Sequence, residues 1–499
     1  MWFIVFASAL TVHPFEFVRV LDPDYPGAMA QSETAAVRIG PPEDGVSWQW
    51  ESIPHTDGWV DPELLSVTNA EDWQRQGHRG AGVKVAIFDL QWFGARWDEM
   101  GLGDVETHDC WAHRSCVPEL NDLTPRYAFE EGMHGVACAQ VVQAIAPDVD
   151  LHLVRVNGQT TLENAVAWAI REEVDLISMS LSFFQRSFYD GTGPFAAMMK
   201  ALDDAGVLMV TSSGNYARSH WRGRFTDGDG DGRMDFDGSN RLRVWFREGG
   251  SRGAYLSWDQ YALCGLTDLS VVIRDDEGNI LGRSQSPQYI GMQDEQCEPM
   301  ERARVQVDEN QWAWLEVIRE HGPVAGLEVD IMMPGGRVDA YQPNASIADP
   351  GADPHVLTVG AVDVNGYLAN DIEPFSSQGP VASGVVKPEL VGPDGLGVPA
   401  YGNRGFFGTS ASTPAVVGLL AQIMSEDPTL SPRQAAARLQ AWAWNSDGHW
   451  SGEDPRWGHG KARLPVKTER DSSCGDRPWL LPLVLLPLGW FRRTRYSTT

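Results

Sequence analysis

A chain of 499 residues is long enough to bury a large core and to form more than one domain, so it is not a mini-protein held by staples. Its formal charge of -29, from 39 basic against 68 acidic residues, argues against a nucleic-acid surface and suits a soluble secreted protein or an acidic one in salt. Six cysteines are too few to form the framework of such a chain.

Residues 1–65 read as a leader and N-terminal arm. Met1 to Ala9 has an apolar centre and an Ala7-Ser8-Ala9 triplet but no basic start, so it makes a poor signal peptide. Residues 10 to about 65 carry Pro, Gly and acidic residues without sustained periodicity. The run Gly82 to Asp89 is short and apolar and ends on a carboxylate, the look of a buried parallel strand with Asp89 at its C-terminal end. Sites in open α/β sheets lie at such ends.

A polar loop then holds Cys110 and Cys116, placed for a local disulfide, and His134 opens a small-residue helix in which Cys138 reads as a buried thiol. Strands are expected over Asp150–Val156, Val174–Ser180 and Gly206–Thr211. Between them, helices are expected over Leu162–Glu172, with Thr160 and Glu163 as a capping box, and over Pro194–Ala205. Such alternation is the signature of a doubly wound parallel sheet with right-handed crossovers. The last of these strands runs into Ser212-Ser213-Gly214-Asn215, where the asparagine either makes a turn or aims its amide at a site.

From Asp227 the text alternates carboxylate and glycine, and Asp227, Asp229, Asp231 and Asp235 offer hard oxygen ligands for Ca2+. The twelfth place of the loop is Gly238 rather than Glu, so this is an incomplete EF-hand loop, and a solvated acidic turn is the alternative. Residues 239–345 show five short runs of strand period and read as an antiparallel β-sandwich inserted into the α/β domain, with Cys264 and Cys297 placed for a second disulfide. The α/β pattern occupies residues 66–238 and resumes over 346–465.

Within that second part, Gly408-Thr409-Ser410-Ala411-Ser412-Thr413-Pro414 feeds an apolar helix, with Pro414 expected in its first turn. A serine there is exposed where free backbone N–H groups favour developing negative charge, a place for a nucleophile. Residues 466–499 form a linker and tail: Cys474-Gly475, then Trp479 to Phe491 almost wholly apolar, then Arg492, Arg493 and Arg495. At about 1.5 Å per residue the apolar part is about 20 Å long as a helix, and Pro482 and Pro487 interrupt it, so it suits membrane association rather than an ordinary span. Its layout resembles the C-terminal sorting signals of some Gram-negative bacteria, particularly the myxobacterial type.

Asp at a strand end, His at a helix start, Asn after a glycine and Ser at a helix N-terminus, in that order, resemble the subtilisin-like serine proteases. The matching residues are His134-Gly135, Ser213-Gly214-Asn215 and Gly408 to Pro414, supported by Ser178-Met179-Ser180-Leu181, Phe375 to Pro380, Lys387-Pro388-Glu389-Leu390 and Gly458-His459-Gly460. The resemblance implies a secreted or cell-surface endopeptidase, acting as a monomer on protein or peptide substrates without an organic cofactor. Ser410 would be the nucleophile, His134 its base, Asp89 the partner of His134, and Asn215 an oxyanion donor. Ser180, Leu181 and Ser182 would line the substrate cleft, where an extended peptide adds as a strand.

Three departures stand out. Leu90-Gln91-Trp92 replaces the family's Thr or Ser and Gly after the aspartate, Ser182 replaces a Gly and narrows the primary pocket, and the stretch before Asp89 is short for both a signal peptide and an inhibitory prodomain. The alternative is a catalytically silent scaffold acting as a surface binding protein. Its mark would be a missing triad member, and all are present. An esterase would share the acyl chemistry, but Ser410 lacks a Gly-x-Ser-x-Gly elbow.

Overall fold

A computed structural model describes residues 62–92, 101–102, 105–110, 116–118, 132–261, 266–287, 299–445 and 454–466, together with the backbone of four short strands nearer the N-terminus. Those strands, β1 (Phe17–Val20), β2 (Ala30–Gln31), β3 (Ala36–Ile39) and β4 (Trp48–Trp50), form an antiparallel sheet in the order β2-β3-β1-β4. The arm thus contains a small sheet, because strands this short are too brief for an alternation to stand out in the sequence.

Helices α1 (Pro62–Thr68) and α2 (Ala70–Arg75) lead into β5 (Lys84–Asp89). There follow β6 (Glu106–Asp109), β7 (Val117–Pro118), α3 (His134–Ile145), β8 (Asp150–Arg155), α4 (Gln159–Arg171), β9 (Leu176–Met179), α5 (Gly193–Asp204) and β10 (Leu208–Ser212). The expected capping box is absent. α4 begins at Gln159, so Thr160 lies inside it, and Thr161 Oγ1 accepts the N–H groups of Asn157 and Gly158 at 2.8 and 3.0 Å instead.

The chain then leaves the α/β layer for β11 (His220–Arg224), β12 (Leu242–Phe246), β13 (Gly250–Trp258), β14 (Asp268–Arg274), β15 (Ile280–Ser284), β16 (Met300–Val307), β17 (Gln311–His321), β18 (Glu328–Met332) and β19 (Gly336–Val338). They pair antiparallel as β11-β18-β13-β16 and β15-β14-β17-β12-β19, and their inward residues build a separate apolar core around Trp258, Phe246 and Ile331. β16 alternates buried and exposed residues along its length, as a strand with one solvated face must. The first of these strands starts ahead of residue 239, since the polar His220-Trp221-Arg222-Gly223-Arg224 shows no clean alternation. The proposed pairing of Cys264 with Cys297 lies outside the described residues.

The α/β layer resumes with β20 (Leu357–Asp363), β21 (Leu390–Asp394), the hairpin β22 (Leu396–Val398) and β23 (Gly402–Phe406), α6 (Thr409–Glu426) and α7 (Pro432–Trp442). The eight-stranded main sheet has the order β21-β20-β10-β9-β5-β8-β6-β7, parallel except for β7. From β5 the chain passes to β6 and β7 at one edge, returns inward to β8, and then crosses β5 to β9 and beyond, so Asp89, at the C-terminal end of β5 between β8 and β9, sits at the switch point of a doubly wound sheet. α3 and α6 cover one face and α4 and α5 the other.

α6 is apolar all round and buried from Ala411 to Met424, which fixes its first turn. Gly418 lets α3 close on it, since a Cβ there would lie 2.7 Å from Ile145 Cβ. Lys387, wholly buried beside the sheet, donates from Nζ to Val356 O at 2.8 Å and pairs with Glu389, whose other oxygen takes the Thr358 N–H at 2.8 Å. The Lys387-Pro388-Glu389 motif is therefore a structural clamp.

Candidate active site

Asp89 is 0 % exposed, and every contact it makes points it one way. Its Oδ1 accepts the backbone N–H groups of Leu90 and Gln91 at 2.8 and 3.0 Å, while Oδ2 lies 2.6 Å from His134 Nδ1. The Leu90-Gln91-Trp92 departure is thereby explained: the turn still supplies two N–H donors, and Trp92 Nε1 bonds Asp89 O at 3.0 Å. Gly135 allows the contact with His134, because a Cβ there would lie 2.7 Å from the Trp92 ring and 2.8 Å from Asp89 Cβ.

With a carboxylate at Nδ1, the imidazole carries its hydrogen there and keeps the Nε2 lone pair free to take a proton. Burial pulls the His134 pKa down, but the charge and hydrogen bond of Asp89 outweigh it, so the value sits above the ordinary one. The Phe406 ring meets the imidazole edge-on at 5.5 Å and stacks on Tyr401 at 5.2 Å.

Ser410 is the second residue of α6, in the first turn of the helix. Pro414 lies in the second turn rather than the first, since the helix begins at Thr409. A proline inside a helix leaves the carbonyl four residues earlier without its N–H partner. That carbonyl belongs to Ser410, and it accepts Ser180 Oγ–H at 3.1 Å and Cys138 Sγ–H at 3.7 Å. Burial and the nearby Asp89 charge push the Cys138 thiol well up, so it remains a protonated donor, free and buried as expected. The Ser410 backbone is thus tied to the helix of His134 and to the end of β9.

Asn215 sits against the same helix start. Its Oδ1 accepts both the N–H and the Oγ1–H of Thr409 at 3.0 Å each, which leaves the amide N–H groups as its donating end. Ser180 is buried with its hydroxyl turned inward, Leu181 packs on the α4–α5 side of the sheet, and Ser182 meets the Tyr216 hydroxyl. Asp394, which the motif reading passed over, holds the Gly408 N–H at 2.9 Å. Burial drives its pKa up to about 7, against the Gly408 bond and with help from the Glu373 and Asp363 charges. Its only sequence signal is a carboxylate at a buried strand end, the one that also marks Asp89. Phe406 and Tyr401 were likewise missed, and the glycines flanking Phe406-Phe407 are the trace they leave.

Of the four acidic residues read as calcium ligands, Asp227, Asp229 and Asp231 bring one carboxylate oxygen each within 4.8 Å of the others. Asp235 does not join them; its Oδ2 accepts the Gly228 N–H at 2.7 Å. Asp231 also pairs with Arg233 at 2.9 Å. The Cys110–Cys116 disulfide is formed.

Asp, His and Ser follow one another in this order around a parallel sheet whose switch point holds the aspartate, a pairing of topology and order found in subtilisin-like serine peptidases. The chain belongs to the subtilase family, whose model matches residues 112–237 and 325–460, more than half of its length. The match includes His134, Asn215 and Ser410, starts beyond Asp89 and leaves out all of β12–β17. The serine protease AprX of Bacillus subtilis is 32% identical over 130 residues, which make up 22% of this chain and 28% of that relative. The matched stretch thus spans little more than a quarter of AprX. The CspB protease of Clostridium perfringens shares the fold, with a TM-score of 0.51 at 15% identity, over 79% of this chain and 95% of that one.

Proposed function

We propose that the protein is a serine endopeptidase working outside the cytoplasm. The observation that carries this is the Asp89–His134 contact of 2.6 Å, made by a buried carboxylate whose other oxygen is already satisfied. Ser410 Oγ gives its proton to His134 Nε2 and attacks a peptide carbonyl, and Asp89 stabilises the imidazolium that forms. The oxyanion is met by the Asn215 amide and the Ser410 backbone N–H, donors of a kind worth about 10²–10³ in kcat. His134 then protonates the leaving amine, and water resolves the acyl-enzyme by the same steps in reverse. Ser180, Leu181 and Ser182 line the cleft where an extended substrate adds as a strand.

Asp227, Asp229 and Asp231 are the residues we propose hold Ca2+, with Asp235 bracing the loop through Gly228. The ion would neutralise carboxylates that otherwise repel and would anchor the loop to β17, which it meets through Met234 N and Val317 O at 2.9 Å. The two antiparallel sheets, whose strands β12–β17 lie between the two family-matched segments, are read as an inserted β-sandwich. Export is supported by the Cys110–Cys116 disulfide, a bond of oxidising compartments, and by the acidic composition. We read the tail from Cys474 as a sorting signal for the cell surface and the protein as a monomer. Among the described residues no helix is long and apolar enough to cross a membrane.

The test is labelling of the full-length protein with a fluorophosphonate probe, wild type against Ser410→Ala. Labelling of the wild type alone is expected. Folded, mature wild type that stays unlabelled would refute the peptidase reading and leave a binding scaffold.

A further inference from the structure

Two histidines lie together on the face of the main sheet opposite α3 and α6, and the peptidase chemistry uses neither. His108 is on β6 and His152 on the parallel neighbour β8, with Glu106 directly opposite His152. Residues two apart on a strand share a face, so Glu106 stands beside His108 and Asp150 beside His152. His108 and His152 are 8 % and 4 % exposed, packed under the Trp168 ring at 4.4 and 5.6 Å.

Their nitrogens converge. His108 Nε2 lies 3.1 Å from His152 Nδ1, and Glu106 Oε2 lies 3.9 and 3.6 Å from these two atoms. The two imidazoles can share only one proton across that gap, so between them they satisfy a single hydrogen bond in a buried place. Among the described residues His152 Nε2 is buried without a hydrogen bond, and Asp150 Oδ1 lies 3.3 Å from it. The Glu106 side chain, 69 % exposed, opens the cluster to solvent.

We propose that Glu106, His108 and His152 bind a divalent transition metal ion, with Zn2+ the best fit. A tetrahedral ion at about 2.0–2.1 Å from each ligand holds neighbouring ligand atoms about 3.3 Å apart, and the three observed separations bracket that value. Two imidazoles with one carboxylate favour Zn2+ over Ca2+ or Mg2+, which prefer oxygen. A metal on His152 Nδ1 leaves the hydrogen on Nε2, where Asp150 is the acceptor that orients the ring from behind. Water completes the coordination on the Glu106 side. The ion fastens β6, near the sheet edge, to β8.

The full-length protein, stripped with chelator and saturated with Ca2+ to occupy the acidic loop, is titrated with ZnCl2 by calorimetry. Wild type is expected to bind Zn2+ here, His152→Gln and Glu106→Gln to weaken that binding at least about tenfold, and Asp150→Asn by about 10–100-fold. His134→Ala breaks the group formed by Asp89, His134 and Cys138, whose ligand atoms also lie close together, and should leave this affinity unchanged. A wild type that binds no Zn2+ overturns the proposal. So does equal affinity in wild type and Glu106→Gln, a comparison that stands even where His152→Gln does not fold, because Glu106 is exposed.

Discussion

Replacing Gly135 by alanine tests how the base and its carboxylate are brought together. The added carbon would lie 2.7 Å from two atoms of the Trp92 ring and 2.8 Å from Asp89 Cβ. Ordinary carbon contacts run at about 3.5–4.0 Å, so either the start of α3 or the turn after β5 must retreat by about 1 Å. Both neighbours are buried. Overpacking of this kind costs about 1–3 kcal/mol, offset in part by the roughly 0.5–1 kcal/mol that alanine gains over glycine in a helix, so the variant should fold. Catalysis has less tolerance, since a misplacement of about 1 Å costs about 10²-fold. The assay is the second-order rate of fluorophosphonate labelling, with near-UV circular dichroism to confirm folding. Gly158→Ala, with nothing within 4 Å of the new carbon, serves as the control. A folded Gly135→Ala protein that labels at the wild-type rate would refute this account of the site.

Four more expectations follow from the same geometry. Ser180→Ala takes away the stronger of the two donors on the Ser410 carbonyl and should cost about 1–3 kcal/mol of stability, measured by denaturant unfolding, together with slower labelling; loss of stability alone would limit Ser180 to a structural role. Because the His134 pKa is raised, the acid limb of the rate profile should fall at a pH above the histidine norm of about 6.5, with activity lost as the base is protonated; a limb at or below that value would contradict the Asp89 contact. Asp394 has a folded pKa of about 7 against roughly 3.9 unfolded, so the folded state holds its proton more tightly and stability declines as pH rises from about 4 to 7. Asp394→Asn should therefore gain unfolding free energy over wild type at pH 8 and not at pH 4, on the order of 4 kcal/mol at most by denaturant unfolding; an equal difference at both would remove the titration argument. Asp229→Asn should lower the melting temperature only when Ca2+ is supplied, and the same loss in chelator would count against a metal there.

The main sheet could be read in the sequence because parallel strands covered on both faces are largely apolar runs, and β5, β9 and β10 announce themselves that way, whereas β8 carries His152 and Arg155 within its run. Asp89, His134 and Ser410 were legible for a related reason: each sits where a strand ends or a helix begins, and local chemistry marks those places. The placing of Pro414 was not, because the helix starts at Thr409 only if something else meets the Ser410 carbonyl, and that something is Ser180, 230 residues away. β11 was missed because its partner β18 lies more than a hundred residues further on.

By itself, then, the amino-acid order determined which segments are buried, in what alternation, and that Asp89, His134 and Ser410 stand at their ends. Those properties depend on neighbours along the chain. Tertiary structure alone decided that Asp394 holds the loop before Ser410, that Phe406 walls the imidazole, and that Glu106 and His108 meet His152 across two strands. Each depends on a distance between elements far apart in the sequence, and strand register and helix packing set such distances.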